Sequence, residues 1–95
     1  MNKYEIMFIV KADISEEEVA KTVKTFETVL TDMGAKITES KDLGQKKLAY
    51  EIKKQVRGYY HLINTEAESK AVKEFDRRAL IDENIIRHLI IKEEN

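Results

Sequence analysis

Cysteine and proline are absent from this 95-residue sequence, and glycine occurs only three times. Without cysteine there is no disulfide framework and no thiolate metal site. Without proline there is no proline-rich linker, and no internal repeat or low-complexity tract divides the chain, so residues 1–95 are read as one domain around one core. Apolar runs fall short of the ~20 residues needed to cross a bilayer. The start, MNKYEIMFIV, also lacks the charged, apolar and small-residue succession of a signal peptide. The expectation is a soluble, cytoplasmic protein with no membrane partner.

The residue patterns of catalysis are missing too. There is no glycine-rich phosphate loop, no histidine–carboxylate ligand spacing and no nucleophile beside a base. The histidines, His61 and His88, read as ordinary sheet residues. No enzyme activity, metal, cofactor or small-molecule substrate is expected. A basic excess is also lacking, since the formal net charge is -1, which argues against a generic nucleic-acid coat. The charges are nevertheless segregated. Lys46 to Gly58 (KKLAYEIKKQVRG) holds five cations and one carboxylate, whereas Asp13 to Glu18 (DISEEE) holds four carboxylates and no cation. One end of the molecule is expected to be basic and another acidic.

Hydrophobic periodicity is what the chain does have. KYEIMFIVK, residues 3–11, is a compact apolar run suited to a strand. Ser15 with Glu18 forms a capping box, and Val19, Val23, Phe26, Leu30 and Met33 follow on one helical face that Gly34 ends. From Ala35 the period changes to two: Leu48, Tyr50 and Ile52 alternate with Ala49, Glu51 and Lys53. Gly44 marks either a bulge in one long strand or a turn between two. Lys54 to Gly58 reads as a turn and Tyr59 to Glu66 as the next strand. Ser69 is placed to cap a second helix with Val72, Phe75 and Ala79 on one face, and Ile85 to Lys92 is a last strand before a frayed Glu93-Glu94-Asn95.

The order strand, helix, strand, strand, helix, strand predicts an α+β, ferredoxin-like split βαβ fold (βαββαβ). Its four-stranded antiparallel sheet has two helices on one face and strand order four, one, three, two, leaving the other face to solvent or a partner. His61 and His88 then sit on strands three and four, with backbones ~9.5 Å apart across strand one.

The stretch RGYYHLIN, Arg57 to Asn64, opens like the RNA-stacking strand of the RNA recognition motif. Arg57, Gly58 and Tyr59 fit and Leu62 is conservative, but Tyr60 replaces a small residue and His61 a stacking aromatic, and strand one offers no aromatic platform. Base stacking by this motif is therefore not expected. With Ile6, Phe8 and Val10 facing the helices, Met7 and Ile9 point outward. With Tyr60, Leu62 and Leu89 they would form an exposed apolar patch suited to a protein partner. The parity of strand three stays open between Tyr60, Leu62, Asn64 and Tyr59, His61, Ile63, Thr65.

Several of these stretches resemble the bacterial small-subunit ribosomal protein six family: YEIMFIV (Tyr4–Val10), LTDMGAKI (Leu30–Ile37), GQKKLAYEIKK (Gly44–Lys54), GYYHLIN (Gly58–Asn64) and NIIRHLIIK (Asn84–Lys92). The G-x-x-x-L-A-Y-x-I pattern is the most specific. The resemblance implies a structural constituent of the small ribosomal subunit that binds the central domain of small-subunit ribosomal RNA as a heterodimer with small-subunit protein eighteen. It implies recognition of RNA shape and backbone, with Lys3, Lys46, Lys53, Lys54, Arg87 and Lys92 as phosphate or sugar contacts. Arg87, a charge inside the apolar strand IIRHLII, needs an acceptor or an outward face, with Glu5 as an alternative cross-strand partner. Tyr50 joins the partner surface through the LAY motif. Relatives can carry a long charged C-terminal extension, of which nothing is carried over to Glu93-Glu94-Asn95, and some carry arginine where this chain has Asn2 and Lys3.

Two rivals share the fold. An acylphosphatase-like hydrolase would need an arginine and free backbone amides after strand one, where KADISEEE supplies repelling carboxylates. A regulatory module dimerising through its sheet would self-associate without RNA.

Overall fold

In the computed structural model, which describes residues 1–93, the chain runs β1 (Asn2–Lys11), α1 (Glu16–Asp32), β2 (Lys36–Ile52), β3 (Gln55–Ala67), α2 (Ser69–Ile81), β4 (Ile85–Glu93). The strands pair antiparallel in the order β2-β3-β1-β4, the ferredoxin-like arrangement. Glu93 belongs to β4; the rest of the expected frayed end, Glu94 and Asn95, lies outside the described residues.

Helix α1 starts and stops where its sequence says. Ser15 Oγ accepts the Glu18 amide at 3.1 Å, and Glu16, Glu17 and Glu18 place negative charge against the helix N-terminus. At the other end Gly34 takes φ +84°, so that its own amide reaches Thr31 O and the Ala35 amide reaches Leu30 O, each at 3.0 Å. Helix α2 corrects the expectation for Ser69. Glu68 is the capping residue and makes no side-chain bond, while Ser69 already has helical geometry and has lost the extended backbone that lets a hydroxyl reach back to the free amides.

Between the helices and the sheet lies the main core. Phe8, Phe26 and Phe75 meet with ring centroids 5.1–6.0 Å apart, surrounded by Ile6, Val10, Leu30, Ile63 and Ile85. Register fixes the parity of β3: Ile63 lies opposite Ile6 and His61 opposite Phe8, so Tyr60, Leu62 and Asn64 occupy the open face.

β2 is one strand with bulges. Asp42 pairs with His61 and Gly44 with Tyr60, leaving Leu43 as the extra residue; Gly44 has φ +82° and its amide bonds Asp42 Oδ1 at 2.8 Å. The turn expected at Lys54 to Gly58 is instead the pair Lys53-Lys54, with φ +49° and +66° and Ile52 opposite Gln55. A two-residue loop with both φ values positive follows the right-handed twist of the strands, and it lets β3 begin at Gln55 rather than Tyr59.

The open face is partly closed by the protein itself. Pairing slips between Lys47–Arg57 and Ile52–Gln55, so Leu48 to Glu51 bulge opposite Val56 alone. This arm bends over the sheet and packs Leu48, 6% exposed, against Ile9 and Ile86. Ile86 is available because β4 is bulged as well: Ile9 lies opposite Arg87 and Val10 opposite Ile85, which leaves Ile86 unpaired. Ile9, expected in the exposed patch, is therefore only 8% exposed, because the arm covers it.

Candidate nucleic-acid interface

The curled arm carries Tyr50 across to β4. There the Arg87 guanidinium lies 5.9 Å from the Tyr50 ring centroid, and Nη1 donates to the Tyr50 hydroxyl. Arg87 thus has both the outward face and the acceptor its sequence context demanded. The acceptor is Tyr50 and not Glu5, which lies opposite Ile91 and Asn64. Next to this pair, Lys46 Nζ sits 5.7 Å from the Tyr60 ring centroid. Lys53 reaches from the turn to donate to Ile85 O at 3.4 Å, and Lys54 is exposed at its tip.

Register brings further cations to the same end. Lys46 lies opposite Gly58, which lies opposite Lys11, and Lys47 lies directly opposite Arg57. Like charges facing each other across a ladder destabilise it, so this concentration is kept at some cost to the fold. Lys11, Lys47 and Arg57 were not among the residues expected here; their nearness to Lys46 follows from the pairing of the strands, which a turn placed at 54–58 obscures.

Lys3 and Lys92 are not brought to this end. From Lys3 to Lys11, β1 extends about 27 Å at its usual rise per residue. Lys3 lies opposite Glu66 and Glu93, with Glu5 and Glu39 lining the same shallow groove. Lys92 lies opposite Tyr4 and so has the parity of the helix side.

Between the two ends runs an apolar row. Leu89, Met7 and Leu62 lie side by side across β4, β1 and β3, with Leu89 59% exposed and the other two half-buried. Ile91, exposed on the same side and absent from the expected surface, lengthens the row; the alternation in IIRHLIIK that gives Leu89 gives Ile91 too. Tyr60 is half-buried and packs toward Ile9.

The histidines are occupied structurally. Both lie opposite Phe8 on the helix side. His61 Nε2 is 2.7 Å from Ser40 Oγ, and burial holds its pKa below the ordinary value against the opposing pull of Glu27 and Asp42. His88 Nε2 is 2.7 Å from Asp76 Oδ1. Among the described residues no cluster of three potential metal ligands occurs. The groove of about 400 Å³ beside α1 is lined by Val19, Ala20 and Val23 with Glu16 and Asp42, which disfavours an anionic substrate.

Comparison with known proteins agrees with this architecture. The structure is similar to that of 30S ribosomal protein S6 from Thermotoga maritima, with a TM-score of 0.92 and 28% identity, covering 97% of this chain and 87% of that one. A protein of Arabidopsis thaliana, 16% identical over 100% of this chain and 95% of its own, superposes with a TM-score of 0.56, a likeness of fold alone. The profile of the family described as ribosomal protein S6 matches residues 3–92, nearly the whole sequence, and the chain belongs to the ribosomal protein S6 family.

Proposed function

We propose that this protein binds the central domain of small-subunit ribosomal RNA as a heterodimer with small-subunit protein eighteen. Its family makes it a structural, non-enzymatic component of the small ribosomal subunit in the cytoplasm. The observation that carries the finer reading is the division of the open face. Lys46, Lys53, Lys54 and Arg87 gather with Lys11 at the hairpin end, Lys47 and Arg57 standing on the other parity of the same hairpin, and the row Leu89, Met7 and Leu62 adjoins them. Cations at one end suit phosphates, and an uncovered apolar row suits a protein surface. A nearly neutral chain holds RNA in this way because the partner supplies further phosphate contacts. Ile9 lies beneath the arm and takes no direct part. Lys3 forms a separate and weaker contact, its charge offset by Glu66 and Glu93, and Lys92, on the helix-side parity, lies apart from both.

The test is binding to a central-domain RNA fragment with and without protein eighteen. Binding is expected to require the partner and to weaken about tenfold in Arg87→Ala. Leu89→Asp is expected to abolish the RNA binding that the partner confers, by preventing heterodimer formation. No binding in either condition, with the partner shown to be folded, would overturn the reading, and a stable homodimer in sedimentation would favour a self-associating regulatory module.

A further inference from the structure

We propose that Tyr50, oriented by Arg87, is a stacking platform for an unpaired RNA base. This rests on the RNA-binding reading above and names the chemistry that one part of the interface would recognise. The ring is not there for packing. Leu48 and Ile52, which share the parity of Tyr50 on the arm, are buried or half-buried in the cluster with Ile9, whereas Tyr50 is 60% exposed. An exposed tyrosine on a bulged arm would ordinarily sample several rotamers. Here the hydroxyl accepts from Arg87 Nη1, with the guanidinium beyond the hydroxyl end of the ring, so the side chain has an anchor before any ligand arrives and both ring faces stay free of it. Pre-orientation lowers the entropy lost on binding.

The surroundings select RNA over protein as the occupant. Every base offers a π face, and a strand threading past brings its phosphates to the cations that flank the ring. Those cations are in place at the same end of the open face: Lys53 and Lys54 in the turn that follows the arm, Lys46 on the hairpin, and Arg87 itself with donors left over. An apolar protein side chain at Tyr50 would have to desolvate that cluster, while the adjacent row at Leu89 and Met7 offers apolar contact without it. The base must be unpaired, because bases inside a duplex are already stacked. The half-match of RGYYHLIN to an RNA-stacking strand pointed to β3; the platform instead comes from the LAY stretch of β2, carried over the open face by the arm.

The experiment measures affinity of the heterodimer with protein eighteen for a central-domain RNA fragment, comparing wild type with Tyr50→Ala, Tyr50→Phe and Tyr50→Trp. Tyr50→Ala is expected to weaken RNA binding roughly 5- to 100-fold, and Tyr50→Phe, which keeps the π face and loses the hydroxyl tether, by no more than about threefold. Tyr50→Trp introduces an indole whose emission should be quenched when the RNA is added. Thermal unfolding of each variant and its affinity for protein eighteen without RNA are measured alongside. Stacking is overturned if Tyr50→Ala binds RNA as wild type does, if the Tyr50→Phe loss equals that of alanine, or if the alanine loss is matched by an equal loss of heterodimer affinity. Failure of the wild-type heterodimer to bind the fragment overturns the RNA reading itself, which separates the two.

Discussion

Gly58 shows how one residue takes its meaning from its neighbours. In the sequence it sits between Arg57 and Tyr59, where it matches the opening of an RNA-stacking strand and ends the expected turn. In the structure it marks a close internal approach: a Cβ at this position would lie 2.3 Å from Ile9 Cγ2 and 3.3 Å from both Ile86 Cδ1 and the Val10 carbonyl oxygen. Ile9 cannot retreat, because Leu48 and Ile86 hold it. Gly58→Ala should therefore destabilise the fold by about 1–3 kcal/mol, seen as a lower urea midpoint at unchanged slope; an unchanged midpoint would show that the cluster yields. Other residues were more legible. Phe8, Phe26 and Phe75 followed from strand parity and helical period, and Arg87 from being a charge in an apolar strand. The Arg87 acceptor was not legible, since Tyr50 lies on another strand and reaches β4 only through a bulge that no local pattern encodes.

Among the elements, the β2–β3 hairpin departs furthest from what its sequence suggests. Its turn contains neither glycine nor asparagine, so the nearest glycine, Gly58, drew the end of the expected turn four residues too late. The actual turn forces Lys53 and Lys54 into the left-handed region, where a side chain pays a steric penalty. Replacing Lys53-Lys54 with Asn-Gly should raise stability by about 1 kcal/mol, equivalent to roughly 4–8 °C in Tm. The same double substitution should weaken RNA binding, because it removes two cations from the basic end. Gain of stability together with loss of affinity would mean that the strained pair is retained for its charge. An unchanged Tm would instead mean that the strain is relieved elsewhere. Helix α1 needed no such correction, as its start and stop signals are local; α2, lacking a capping side chain at Glu68, misled at its first residue.

The whole molecule has almost no net charge, yet its sheet is unevenly charged along its length: carboxylates surround Lys3, while Lys11, Lys46, Lys53, Lys54 and Arg87 crowd the hairpin end. The expected separation of the acidic DISEEE segment from the basic end does not hold, because Asp13 accepts from Gln55 Nε2 at 3.1 Å and the start of α1 lies at the hairpin end too. Total composition conceals the unevenness of the sheet, and only the strand order and register reveal which cations act together. That unevenness makes a quantitative expectation. In a plot of log affinity for the central-domain fragment against log salt, measured with protein eighteen present, Lys46→Gln should reduce the slope by about 1. Lys3→Gln should reduce it by less than half as much, since Glu66 and Glu93 oppose a phosphate there. Equal reductions would mean that both ends meet phosphate equally.

β2 is also a long free edge. Seventeen residues of strand with one unpaired side would offer a template on which another chain could add its own strand and begin aggregation. The register slips after Ile37, Asp42 and Lys47 interrupt that template, and Lys36, Glu39, Lys41, Asp42, Lys46 and Lys47 place charge along it. Straightening the bulge at Leu48–Glu51 would thus do more than disturb the arm: it would lengthen a regular edge available for intermolecular pairing. The irregularity that bends the hairpin over the open face also helps to keep separate copies of the chain apart.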